Sequence, residues 1–152
     1  MNFAQLRDTL NQATDPSLIR HRRQAGTELG YLEWFTVNRI LDTHCPGWSG
    51  DAVVTIAGDT VIVTYTITIP TDEGMVSRAA TGSDKLGSGF DPVASAEQQA
   101  FKRAAARFGI GLDLYDKDTK PVVPKTTTTL PGPYNTRTNG SSQRPPGWQP
   151  SY

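Results

Sequence analysis

The chain has 152 residues, with 15 Lys/Arg balancing 15 Asp/Glu, 36% apolar residues and 20% charged ones, the profile of one globular domain with an ordinary core. No apolar run approaches the ~20 residues of a membrane span, and the single Cys45 excludes an internal disulfide and fits a reducing cytosol. The zero net charge conceals a division: residues 1–116 carry ten Lys/Arg and fourteen Asp/Glu, whereas residues 117–152 carry five Lys/Arg and only Asp118.

Residues 2–12 predict a short amphipathic helix with Phe3, Leu6 and Leu10 on one side. Asp15-Pro16 interrupts it, since proline disfavours helix in the residue before it. Arg20 to Gly30 is polar and glycine-punctuated and reads as a loop. Tyr31 to about His44 predicts a second helix, with Leu32, Phe35, Val37, Ile40 and Leu41 as its apolar side and Cys45-Pro46-Gly47-Trp48 as its end. Val61, Val63, Tyr65, Ile67 and Ile69 then alternate with Ile62, Thr64, Thr66 and Thr68, the period of a strand with one buried face. Ala52 to Ala57 predicts a shorter strand before it, reversing through Gly58-Asp59. Thr71-Asp72-Glu73-Gly74 reverses again into a third strand, about Met75 to Thr81.

Three antiparallel strands expose an apolar face that needs a cover. The predicted cover is a helix from Pro92 to Phe108, with Asp91 as its N-cap and Pro92 at the first helical position. Phe101, Ala104, Ala105 and Phe108 recur at i, i+3, i+4 and i+7 as its inner face. At about 100° per residue, Arg103 and Arg107 stand nearly opposite them, with Lys102 on the flank. Gly109 and Gly111 stop the helix. The fold class is therefore α+β: a three-stranded antiparallel meander packed on a long helix, a β-β-β-α core, with N-terminal helices. Residues 1–117 make the domain. Pro121, Pro124, Pro131, Pro133, Pro145, Pro146 and Pro150, with a Thr126–Thr129 run and Gly/Ser/Asn between, cannot build a core, so 118–152 is predicted to be a disordered basic tail.

An acidic body that binds nucleic acid must concentrate its positive charge in patches. Two patches stand out: Arg20-His21-Arg22-Arg23, and the Lys102/Arg103/Arg107 helix face, which has no acidic residue beside it until Glu97. The plain alternative for each is a solvated surface. Like charges at i and i+4 mildly disfavour a helix, and a phosphate chain on Arg103 and Arg107 would offset that. Tyr31 is either core or a ring bordering a basic groove, where a base or sugar could rest. Trp34 and Trp48 read as packing or subunit contacts. There is no Gly-x-x-x-x-Gly-Lys-Ser/Thr loop. Gly87-Ser88-Gly89 lacks a nucleotide-loop context, and His21, His44 and Cys45 fall short of a four-ligand zinc site. No catalytic residue, metal or cofactor is expected.

The string Lys102-Arg103-Ala104, Phe108-Gly109-Ile110-Gly111, Leu114-Tyr115-Asp116 resembles the signature of the Rad52 family of single-strand annealing proteins, in its bacterial and phage forms. Tyr31-Leu32-Glu33, a helix and then Gly47-Trp48 are similar to the family's upstream segment, and Thr81-Gly82-Ser83 falls near its glycine-bearing third strand. The likeness covers roughly Arg22 to Asp116. It implies a core that assembles into rings or open helical arcs, whose long helix and neighbouring basic residues hold the backbone of single-stranded DNA with the bases outward. By position, Lys102 and Arg103 match the helix pair, Tyr31 an aromatic beside the groove, and Arg22 or Arg23 an upstream arginine. The family's further helix arginine falls on Ala106, with Arg107 one residue on, and Glu28-Leu29-Gly30 stands where relatives can carry a lysine.

The expected function is thus an oligomeric single-stranded DNA-binding protein that anneals complementary strands in recombination and repair. Its DNA-binding residues are Lys102, Arg103, Arg107, Arg20, Arg22, Arg23 and Tyr31. The alternatives are a module that protects single strands without annealing them, and a structural or assembly protein sharing the α+β core. A single-strand-binding protein docking on the tail through Trp148 and Tyr152 is a further expected partner. Met1-Asn2-Phe3-Ala4-Gln5 lacks a basic-then-apolar signal pattern, so the expected location is cytoplasmic and nucleoid-associated, away from membranes.

Overall fold

The structure, a computed structural model, describes residues 1–116. The tail expected over 118–152 and the domain boundary at 117 lie outside the described residues.

Helix α1 (Phe3–Leu10) starts with a capping box. The Gln5 amide donates to the Asn2 side chain at 2.8 Å and the Asn2 amide donates to the Gln5 side chain at 3.1 Å, which satisfies two amides that have no helical partner. Leu6 and Leu10 are buried, with Phe3 packed beside them. After a single 3-10 turn at Pro16–Leu18, the chain departs from the loop expected over residues 20–30. Strands β1 (Arg20–Gln24) and β2 (Thr27–Tyr31) pair antiparallel as a hairpin. Ala25 and Gly26 both take positive φ, 50° and 76°, as a two-residue turn must if it is to match the twist of its strands. All five residues of β1 are exposed, so no apolar alternation marks it in the sequence.

Helix α2 (Trp34–His44) starts later than expected, because Tyr31 closes β2. Val37 and Leu41 are buried, whereas Phe35, expected on the apolar side, is exposed and meets Trp34 edge-on at 6.0 Å. Trp48 lies nearly parallel to Phe101 at 6.2 Å and donates its indole N–H to Asp42 at 2.8 Å.

Strands β3 (Ser49–Ala57), β4 (Thr60–Thr71) and β5 (Gly74–Lys85) form the antiparallel meander in that order. The outer two are longer than the sequence predicts. Val61, Val63, Ile67 and Ile69 of β4 are buried, as their period of two requires. Helix α3 (Pro92–Ala106) packs on β4 and β5. Asp91 caps it by accepting the Ala94 amide at 3.0 Å. Ala96, Ala100, Ala104 and Ala105 bring its backbone close to the sheet. At the tightest point a Cβ on Gly82 would collide with the Ala96 carbonyl and the Ala100 amide nitrogen, so only glycine permits this approach. Phe101 and Phe108 fill the wider end with Leu6, Leu10 and Leu41, each side chain contributing about 1.5–3 kcal/mol through burial. The helix stops at Ala106, and Gly109 and Gly111, at φ 115° and 66°, turn the chain into a 3-10 segment, Leu112–Tyr115. No described helix is long and apolar enough to cross a membrane.

Candidate nucleic-acid interface

The antiparallel register sorts the basic hairpin into two faces. Arg20 stands opposite Tyr31 and Arg22 opposite Leu29, and side chains two apart share a face. Arg20, Arg22 and Tyr31 therefore share one side. His21 and Arg23 take the other, where the His21 ring lies 3.6 Å from Glu28. Of Arg22 and Arg23, Arg22 is the one on the Tyr31 side, where it lines a groove together with Lys102.

Tyr31 joins the two patches that the sequence holds about eighty residues apart. The Arg22 guanidinium lies 5.4 Å and the Lys102 ammonium 5.3 Å from its ring centroid, both within cation–π range. The Tyr31 hydroxyl reaches Glu33 at 3.5 Å. Tyr31 thus holds two cations in place, and a base stacking there has to compete with them.

Lys102 is less exposed than Arg22, Arg103 and Arg107. Half-burial lowers its pKa, and Arg22 and Arg103 lower it further against the opposing pull of Glu33. Arg103 is exposed, and its guanidinium donates to the Thr81 carbonyl of β5 at 2.9 Å. Among the described residues, no ion pair involves Arg22, Lys102, Arg103 or Arg107. An anion laid across them would relieve mutual repulsion and a desolvated charge at once.

Arg22, Lys102 and Arg103 border an open groove of about 600 Å³. Its floor is a stripe of α3 residues, Ser95, Gln98, Gln99, Lys102 and Arg103, and its far wall is Arg22 and Gln24 of the hairpin. Asp91 and Phe90 stand at the other end, so the positive potential is concentrated near Lys102. Gln98, Gln99 and Ser95 were not foreseen, although extending the i, i+3, i+4 pattern upstream from Lys102 would have found them. Gln24 had no signal, because its place depends on the hairpin. Arg107 lies outside this groove, in a neighbouring pocket that shares Arg103 with it. Arg20 and Arg23 line neither cavity.

Comparison with known proteins gives this geometry a context. Residues 2–131 match the Rad52/22 family, described as double-strand break repair proteins. DNA repair RAD52-like protein 1, mitochondrial, of Arabidopsis thaliana is 41% identical over 122 residues, which is 76% of this chain and 69% of that protein. DNA repair RAD52-like protein 2, chloroplastic, of the same plant is 36% identical over 117 residues, 72% of this chain and 58% of that protein. Both relatives are named for plant organelles, so the bacterial or phage type and the cytoplasmic location expected from the sequence have no counterpart in them. The chain belongs to the Rad52/22 family of double-strand break repair proteins.

Proposed function

We propose that this chain binds single-stranded DNA by its phosphate backbone along the α3 groove and, as an assembly of copies, anneals complementary strands. The observation that carries this reading is the cluster of Arg22, Lys102 and Arg103, fixed around Tyr31 and the Thr81 carbonyl, with no ion pair to a carboxylate among the described residues. Cations so placed grip phosphates without reading sequence, release counterions and lose affinity as salt rises.

The groove floor from Ser95 to Arg103 is about 12 Å long at the rise of an α-helix. The three cations along that length, Arg22, Lys102 and Arg103, are too few for tight binding at physiological salt. Copies arrayed along one strand multiply the contacts. The sheet supports such an array: every residue of the edge strand β3 is exposed, with Val53, Val54 and Ile56 more than half so. A long apolar edge guarded only by Asp51 invites pairing with another chain. Annealing then uses no catalytic residue, because base pairing supplies the free energy.

The test is a fluorescence assay of both activities on complementary oligonucleotides across a salt series. Replacing Lys102 and Arg103 together with alanine is expected to weaken binding to all sequences alike and flatten the salt slope. Capture of strands with no acceleration of pairing would instead favour the protective module. Affinity untouched by the double change would favour the assembly protein.

A further inference from the structure

The second cavity differs in chemistry from the groove. It is a shallow pocket of about 380 Å³ lined by Ala80, Ala106, Leu112 and Tyr115, with Arg103 and Arg107 on its rim, within the size range of small-ligand sites. Leu112 and Tyr115 are half exposed, at 50% and 51%. Two large apolar side chains are thus held open to solvent beside two guanidiniums.

The segment that presents them is anchored from behind. Asp113 accepts the Thr14 hydroxyl at 2.6 Å and the Thr14 amide at 3.2 Å. Leu114 packs against the main core. Gly111, at φ 66°, sets the turn, and its Cα lies close under Leu32, where an added Cβ would stand 3.0 Å from that side chain. With Asp113 and Leu114 tied inward, Leu112 and Tyr115 face outward as a preformed wall. Burial raises the pKa of the Tyr115 hydroxyl against the lowering pull of Arg103, so the ring is a neutral phenol at working pH.

We propose that this pocket takes one nucleobase of the strand whose phosphates lie in the α3 groove, stacked on Tyr115 and bordered by Arg103 and Arg107. The inference rests on the single-strand reading above. Three observations lead to it. Arg103 belongs to both cavities, so a chain whose phosphate sits on it has a base within reach of the pocket. The pocket wall of Ala80, Ala106, Leu112 and Tyr115 is apolar and aromatic, as a base face requires, whereas the groove floor is amide, hydroxyl and cationic. The Tyr31 ring already carries two cations, and the exposed Phe90 stands at the opposite end of the groove, which leaves Tyr115 as the aromatic face beside Arg103. Each subunit then turns one base inward and leaves the others free to pair, which punctuates the strand at the subunit repeat.

The test compares fluorescein-labelled oligo-dT with the same oligomer carrying abasic sites in place of bases, titrated against the full chain. The wild-type chain is expected to bind oligo-dT about tenfold tighter than the abasic oligomer. Tyr115→Leu should erase that preference while leaving affinity for the abasic oligomer unchanged, and Tyr115→Phe should keep it. Lys102→Ala with Arg103→Ala should weaken both oligomers. Equal wild-type affinity for the two, or a Tyr115→Leu chain that still prefers oligo-dT or loses both alike, overturns the base pocket alone. Failure of the wild-type chain to bind either oligomer overturns the groove reading, and the pocket with it.

Discussion

Helix α3 has two faces that serve different ends. The inner face, Ala96, Ala100, Phe101, Ala104 and Ala105, with Phe108 just beyond the helix end, is buried against β4, β5 and the N-terminal helices. The outer face, Ser95, Gln98, Gln99, Lys102 and Arg103, lines the groove. A quarter turn separates Phe101 from Lys102, yet one is sealed in the core and the other is a charge crowded by like charges. The inner face fixes where the rod lies, and the outer face uses that fixed position to aim cations that would repel one another on a mobile segment. Stability and binding should therefore separate cleanly between neighbouring residues.

The largest expected effect is on the inner face. Phe101→Ala empties the site against which Trp48 and Tyr65 pack, at 6.2 Å and 5.0 Å, and should cost about 3–5 kcal/mol in urea unfolding. If this change instead weakened DNA binding at full stability, the division between the faces would be wrong.

Next in size is the outer face. Lys102→Ala with Arg103→Ala should lower affinity for single strands by roughly tenfold or more and reduce the salt slope by about two. The melting temperature should hold or rise slightly, because a lysine whose pKa is lowered on folding is disfavoured there in its charged form. A marked fall in melting temperature would show that these cations also hold the fold together.

A smaller effect concerns the sheet. Val54 and Ile56 pair with Val63 and Val61 and so share their face, but they are 51% and 56% exposed while their partners are buried. Helix α3 covers two strands of three. Val54→Lys with Ile56→Lys should change the stability of a single copy by less than about 0.5 kcal/mol while shifting sedimentation toward smaller species. Unaltered assembly would place the contact between copies elsewhere.

The finest effect is on pH. Lys102 is lowered from its ordinary value of 10.5, so its charge is lost earlier on the alkaline side than that of a free lysine. A bound phosphate favours the charged form, so affinity should decline as pH rises through that lowered value and recover on return. Lys102→Arg should flatten the decline. An identical profile for both chains would detach Lys102 from the bound anion.

Local patterns alone settled the meander and its covering helix. The alternation from Val61 to Ile69 and the spacing of Phe101, Ala104, Ala105 and Phe108 are imposed by burial on one side of a strand or helix, and burial leaves its period in the residues themselves. The cations of α3 were legible for the same reason, as the complement of the buried face. The hairpin at 20–31 was not, because β1 is exposed throughout and β2 is partly buried only over its last three residues, so neither carries a period. With it were lost the identity of Arg22 as the arginine facing Lys102 and the place of Gln24. Tyr31's two cations, the Thr81 carbonyl under Arg103 and the pocket beside Tyr115 depend on contacts between elements distant along the chain. Those follow from how the hairpin, β5 and the Leu112–Tyr115 turn close around α3, and packing geometry of that kind exists only once the chain has folded.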